Sequence, residues 1–163
     1  IIYANLRFFN ICGADVKLKI GQKNNLSVIK KICFFGKNKK TFNIFGNNFD
    51  TKDGSSVRDY IHIKDLNNII YKTMNYLRNY NRPVTLNCGT GKGISTFELI
   101  KSYNKLTRKK LKIKITKEFS GDPPEVTANI SKLYKLLGYK LKYSTVDKII
   151  KSSISWENFL KKY

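Results

Sequence analysis

Val57-Arg58-Asp59-Tyr60-Ile61-His62-Ile63-Lys64-Asp65-Leu66 is the stretch that decides the fold. Val57 to Ile63 is rich in β-formers, and Asp65 can cap a helix whose apolar face is Leu66, Ile69, Ile70, Met74 and Leu77. A strand that runs straight into an amphipathic helix is the building unit of an α/β fold. The same alternation continues on both sides. Upstream, Tyr3 to Phe9 reads as a strand ending at Asn10, and Ile11 to Lys23 as a loop. Leu26, Ile29, Ile32 and Cys33 recur at helical spacing, with Asn24 or Asn25 as the cap. Thr41 to Phe45 is a short strand closed by Gly46, and Asp53-Gly54 marks a turn in the loop from Asn47 to Ser56. Downstream, Val84 to Cys88 is a strand and Gly89, Gly91 and Gly93 form a loop. Ser95 with Glu98 is a capping box for the next helix. Leu111, Ile113 and Ile115 alternate with lysines as a half-exposed strand. Gly121-Asp122-Pro123-Pro124 breaks the chain, and two helices follow, Ser131 to Leu137 and one from Val146 towards Leu160.

Hydrophobic residues make up 41% of the 163 residues and charged residues 26%, enough apolar material for a core. No apolar run reaches the roughly 20 residues that cross a bilayer. Ile1-Ile2-Tyr3 reads as strand from the outset, without the basic and apolar regions of a signal peptide. The formal net charge is +21, the electrostatic footprint of a nucleic-acid binder. Only five of the 32 basic residues are Arg, however, and many lysines fall on the polar faces of amphipathic segments. Bidentate and stacking contacts to bases lean on Arg. A solvated lysine surface is therefore the expectation, not a nucleic-acid interface. Cys12, Cys33 and Cys88 are far apart and odd in number, which points away from a disulfide framework or a zinc site and towards a reducing, cytoplasmic setting. His62 is the only histidine, so a His-based metal cluster or Ser/His triad is not expected.

Three groups of residues have the chemistry to bind an anionic ligand, and each has a structural alternative. Cys88 to Ser95 follows a strand and precedes a helix as a phosphate loop would. It matches neither GxxxxGK[ST] nor GxGxxG, so a tight turn is the better reading. Arg58, inside a β-like run and beside Asp59, can form a structural ion pair or reach a phosphate with its planar fork. Asn10, after a strand, and the Asn24-Asn25 pair, at a helix start, read first as turn and cap residues.

Taken together these segments resemble a family. Leu6-Arg7-Phe8-Phe9-Asn10-Ile11-Cys12-Gly13-Ala14 is similar to the LRYFNxxGA segment of UDP-glucose 4-epimerases, which are extended short-chain dehydrogenase/reductases. Phe42 to Gly54 resembles their IFGxDYxTxDGT segment, and Val57 to Leu66 their VRDYIHVxDL segment. Leu86 to Gly93 resembles the NLGxGxG turn, and Gly121 to Lys132 the GDPPxxxADxSK block. The order is kept, and the blocks span nearly the whole chain.

The resemblance implies an α/β fold that is the C-terminal part of an extended Rossmann-type enzyme, with mixed short strands and helices forming the nucleotide-sugar-binding domain. Residues 1–15 would end the NAD-domain core, and residues 16–163 would be mostly UDP-sugar-binding. It implies NAD as cofactor, a UDP-sugar substrate, a homodimer for the full-length enzyme and no membrane. Asn10 would contact the UDP-sugar and Phe9 would lie beside the nicotinamide. Asn24, Asn25 and Leu26 would pack on the nucleotide. Asn43, Ile44 and Phe45 would form the strand under the uracil, Arg58 would clamp the diphosphate, and Asp122 would complete the site. There are departures. The second diphosphate Arg that the family carries before Gly-Asp is missing from Lys117-Glu118-Phe119-Ser120, and the ADxSK aspartate is Asn129. There is no GxxGxxG. The tyrosines of helical segments, Tyr71 and Tyr76, are followed four residues on by Asn75 and Tyr80, and Tyr139 by Tyr143. No catalytic Tyr/Lys pair is therefore expected in this chain. Sister activities on the same scaffold, a 4,6-dehydratase or a UDP-glucuronate epimerase, match these blocks less well.

Overall fold

A computed structural model describes residues 1–17, 19–24 and 27–160. Its centre is β4 (Val57–His62), which pairs in parallel with β2 (Asn10–Cys12), antiparallel with β6 (Gly93–Ser95) and in parallel with β8 (Glu125–Val126). Alternate side chains of a strand face opposite ways. Arg58 and Tyr60 therefore share one face of β4, and Asp59 and Ile61 the other. Tyr60 joins a core made with α1 (Val28–Lys37), α3 (Thr96–Thr107), α5 (Val146–Leu160) and β3 (Phe42–Phe45). Ile61 joins a second core with α2 (Ile63–Tyr80), β5 (Val84–Cys88) and α4 (Ser131–Leu137). The strand is thus a wall between two apolar clusters. The expected α/β class is the observed one.

β1 (Ala4–Phe8) pairs in parallel with β5, from Ala4 against Val84 to Phe8 against Cys88. Each of these two strands has one edge without a strand partner among the described residues. β3 pairs in parallel with β7 (Ile113–Thr116) as a separate two-stranded sheet.

Asp59 is fully buried, and its carboxylate is a hub. It accepts from the Thr90 N–H at 2.8 Å, the Thr90 hydroxyl at 2.7 Å, the Gly91 N–H at 2.9 Å and the Ala128 N–H at 3.1 Å. Four donors on a desolvated carboxylate hold β4, the glycine loop and the segment before α4 together. Lys30 and Glu157 form a buried ion pair that joins α1 to α5.

Two helix starts differ from the sequence reading. α1 is capped by Ser27, whose hydroxyl accepts from the Lys30 N–H at 3.3 Å, not by Asn24 or Asn25. Ser27 lies directly before the first helical residue, and the Asn24 side chain instead accepts from Gln22 at 2.7 Å. α2 begins at Ile63, capped by the His62 ring, which accepts from the Lys64 N–H at 3.1 Å. Asp65 lies inside the first turn and is buried. It accepts from the Tyr139 hydroxyl at 2.7 Å, the Ser144 hydroxyl at 2.6 Å and the N–H groups of Lys142 and Tyr143 at 2.9 and 2.8 Å. A carboxylate with this many tertiary donors is worth more there than as a cap. The Ser95–Glu98 capping box at α3 forms as expected.

Candidate functional site

The chain changes partner between Phe8 and Asn10. The Phe9 N–H still donates to Cys88 at the end of β5, at 3.3 Å, while Asn10 already pairs with Tyr60 of β4. Where a parallel strand leaves one neighbour for another, its carboxyl end opens a crevice. Here that crevice is a cleft of about 470 Å³ whose lining includes Phe9, Asn10, Ser27, Arg58, Tyr60 and Asp122. Strand parity builds its floor, because Asn10 lies opposite Tyr60 and next but one to it is Arg58. The Asn10 amide donates to the Asp59 carbonyl at 3.2 Å. Burial, with Cys12 adding, pushes the Tyr60 hydroxyl above its ordinary value against the pull of Arg58, so it stays a neutral O–H. The N-terminal turn of α1 closes one wall through Ser27 and Val28 and turns the positive end of the helix to the cleft.

Among the described residues Arg58 is the only guanidinium lining the cleft. Its Nη2 pairs with Asp122 Oδ1 at 2.5 Å, and its Nη1 donates to the carbonyls of Val57 at 2.8 Å and Pro124 at 3.2 Å. Arg58 does not pair with Asp59, because consecutive strand residues point to opposite faces.

Asp122 belongs to a strap that crosses the molecule. Thr116, at the end of β7, accepts from the Gly46 N–H at 2.9 Å. Two residues on, Glu118 lies so close that a Cβ on Gly46 would stand 2.8 Å from its own. The Phe119 ring then rests on the Phe45 ring, centroids 4.6 Å apart. The Asp122 N–H closes a turn on the Phe119 carbonyl at 3.2 Å, and the Pro124 carbonyl accepts from Val57 of β4 at 2.8 Å. Residues 117 to 124 therefore span from the β3–β7 sheet to β4 and roof the space between them.

The hydrogen bonds of β3 alternate. The Phe42 N–H goes to Lys112 and the Gly46 N–H to Thr116, both towards β7. In a parallel pair the intervening residues turn their N–H and C=O the other way. The backbone groups of Asn43 and Phe45 thus face the edge of β3 that no strand covers among the described residues.

The glycine loop has a different use. Asp59 occupies the concave side of Gly89 to Gly91, and a Cβ on Gly89 would lie 2.6 Å from its Oδ2. Gly91 has φ +71, which the turn requires. The loop is a structural turn, as its sequence suggests, and no phosphate cradle is left in it.

Known proteins match this arrangement. A UDP-glucose 4-epimerase of Azospirillum brasilense is 32% identical over 159 residues, 95% of this chain and 45% of that protein. The bifunctional UDP-glucose 4-epimerase and UDP-xylose 4-epimerase 3 of Arabidopsis thaliana is 36% identical over 160 residues, 94% of this chain and 45% of that protein. The crystal structure of the Stenotrophomonas maltophila UDP-glucose 4-epimerase, with bound NAD and formylated UDP-arabinopyranose, superposes with a TM-score of 0.94 at 28% identity, over 99% of this chain and 49% of that one. Over nearly its whole length the chain is similar to about half of each of these UDP-glucose 4-epimerases. It spans about half the length of the curated relatives it matches. No family model matches it.

The expected residues fall in three places. Phe9, Asn10, Arg58 and Asp122 line one cleft. Asn43, Ile44 and Phe45 do not line it. Ile44 is buried in the core, while Asn43 and Phe45 are exposed on the neighbouring strand. Asn24 is exposed and bonded to Gln22, and Asn25 and Leu26 lie outside the described residues. Tyr60 and Ser27 line the cleft without having been singled out. Strand parity with Arg58 points to the first, and a Ser just before an apolar helical run to the second. One Tyr-x-x-x-Lys spacing does occur, against expectation, from Tyr60 to Lys64. Its tyrosine is on a strand. Its lysine pairs with Asp15 at 2.9 Å, lies over the Tyr143 ring, and does not line the cleft.

Proposed function

We propose that the cleft binds the diphosphate of a UDP-sugar and that the full-length protein is a UDP-glucose 4-epimerase, an isomerase that interconverts UDP-glucose and UDP-galactose. The observation that carries this is the convergence of one guanidinium, one amide, one carboxylate and a helix N-terminus on a single crevice at a strand switch point. A guanidinium fork pairs with two phosphate oxygens at once. The diphosphate takes Arg58 from Asp122, which frees the carboxylate to accept from a ribose hydroxyl. Asn10 turns its amide to the phosphate or sugar. The open edge of β3 offers a carbonyl from Asn43 and an N–H from Phe45, complementary to the imide N–H and carbonyl of uracil. We assign Asn24, Asn25 and Leu26 to the nucleotide wall, and Phe9 to the side where the nicotinamide lies.

NAD is the proposed cofactor, and its chemistry is hydride transfer at the sugar. Asp59 fills the glycine loop from Gly89 to Gly91, so that loop is not assigned to the cofactor's phosphates. Binding of the cofactor, and the acid–base pair that works with it, are assigned to residues outside this stretch. Residues 1–15 then end the cofactor-domain core, and 16–163 mostly serve the sugar nucleotide. A cytoplasmic homodimer is the proposed state, and no helix among the described residues is long and apolar enough to cross a membrane.

Isothermal titration of UDP into the full-length protein tests the reading. Arg58→Ala is expected to weaken binding by about 1.5–3 kcal/mol, the usual worth of a hydrogen bond to a charged group. Arg58→Lys should recover only part of it, because an ammonium lacks the fork. Unchanged UDP affinity in Arg58→Ala would sink the assignment.

A further inference from the structure

We propose that Phe119 and Phe45 form a stacking platform for the nucleobase at one end of this nucleotide pocket. This rests on the UDP-sugar reading above and adds to it a specificity-determining residue, Phe119. Two phenyl rings lie 4.6 Å apart with planes 31° from parallel, yet Phe45 is 41% and Phe119 61% exposed. Phe35 and Phe42, another aromatic pair, belong instead to a core, with Phe42 buried and Phe35 packed against it. A tilted pair this exposed has apolar area to offer a third planar group.

Location decides what that group is. The strap carries Phe119 across the end of β3 and, three residues later, Asp122 to Arg58. A turn of this kind keeps its ends within about 7 Å. The Asn43 and Phe45 backbone groups that face the open edge of β3 lie on the same strand as the Phe45 ring. Read along the strap, the order is an aromatic pair with a free hydrogen-bonding edge, then a carboxylate, then a guanidinium. A nucleoside diphosphate presents base, ribose and diphosphate in that order. The rings already touch, so the base adds to an outer face of the pair and does not slip between them. Phe119 also brings no charge to the phosphate end, and its neighbour Glu118 is acidic. Arg58 is left as the one guanidinium there among the described residues, and stacking adds to its hold.

The test is titration of UMP and UDP into the full-length protein, for the parent, Phe119→Ala, Phe119→Tyr and Arg58→Ala. Uracil H5 and H6 proton shifts are recorded for each bound state. Phe119→Ala is expected to weaken UMP and UDP alike by about tenfold, the scale of one lost base–aromatic stack. It should also remove most of the upfield shift that the base shows in the parent complex. Phe119→Tyr should restore both. Arg58→Ala should weaken UDP more than UMP. If Phe119→Ala leaves both affinities and both proton shifts as they were while Arg58→Ala still weakens UDP, the platform falls and the UDP-sugar reading stands. If the parent protein does not bind UDP, both fall. Phe119 is largely exposed, so the alanine variant should keep the parent unfolding temperature, which circular dichroism checks.

Discussion

Asp59 and His62 sit two and five residues beyond the start of one strand, and each carries structural weight through donors that water cannot replace. Asp59→Ala would strand the N–H groups of Thr90 and Ala128 in a buried place. The expected loss is about 3 kcal/mol or more in a urea unfolding series, with Asn at this position recovering part of it. His62 accepts the Lys64 N–H at Nδ1, so its proton is on Nε2, 3.0 Å from the Ser152 hydroxyl. A second proton would break the cap. Burial first, helped by Lys64 and opposed by Asp65 and Asp15, holds the folded ring below its ordinary value of 6.5. The unfolded chain thus takes up the extra proton more readily. This contribution to stability is complete above pH 6.5 and is lost as pH falls from there through the folded value. Unfolding free energies measured between pH 7.5 and 5.5 should decline for the parent and stay flatter for His62→Asn.

At the scale of elements, the two helix starts differ in what they hold. Ser27→Ala removes a single cap hydrogen bond and is expected to cost about 1 kcal/mol. Asp65→Ala removes the anchor of residues 139 to 144 and should cost clearly more, which thermal unfolding of the two variants compares directly. Asp65 is held below the ordinary carboxylate range because the donors of Ser144, Lys142, Tyr139 and Tyr143 outweigh the opposing effect of burial. The sequence made the strands, the Ser95 capping box and the blocks around Asn10 and Arg58 legible, because each is local. It hid the partners. Nothing near Asp65 announces Tyr139, and nothing near Phe45 announces Phe119, since both contacts join segments more than 70 residues apart. The short strands β2, β6 and β8 escaped for a related reason. Asn10 to Cys12 is too short to show a period, and only its alignment with β4 makes it a strand.

For the whole molecule, the net charge of +21 is the feature most open to misreading. The lysines are spread over many elements, and the cleft itself holds only one guanidinium among the described residues, already paired with a carboxylate. Filter binding to duplex DNA across a salt series should therefore show weak retention without a steep multi-phosphate slope. A slope of several phosphates would return the nucleic-acid reading to first place.

The bare margins of β1 and β5 have a practical consequence for anyone who purifies these 163 residues alone. Amide groups left unsaturated along a strand invite the same groups of a second molecule, and that encounter grows with the square of concentration. Dilute solutions should stay clear where concentrated ones cloud, and light scattering across a dilution series would reveal it.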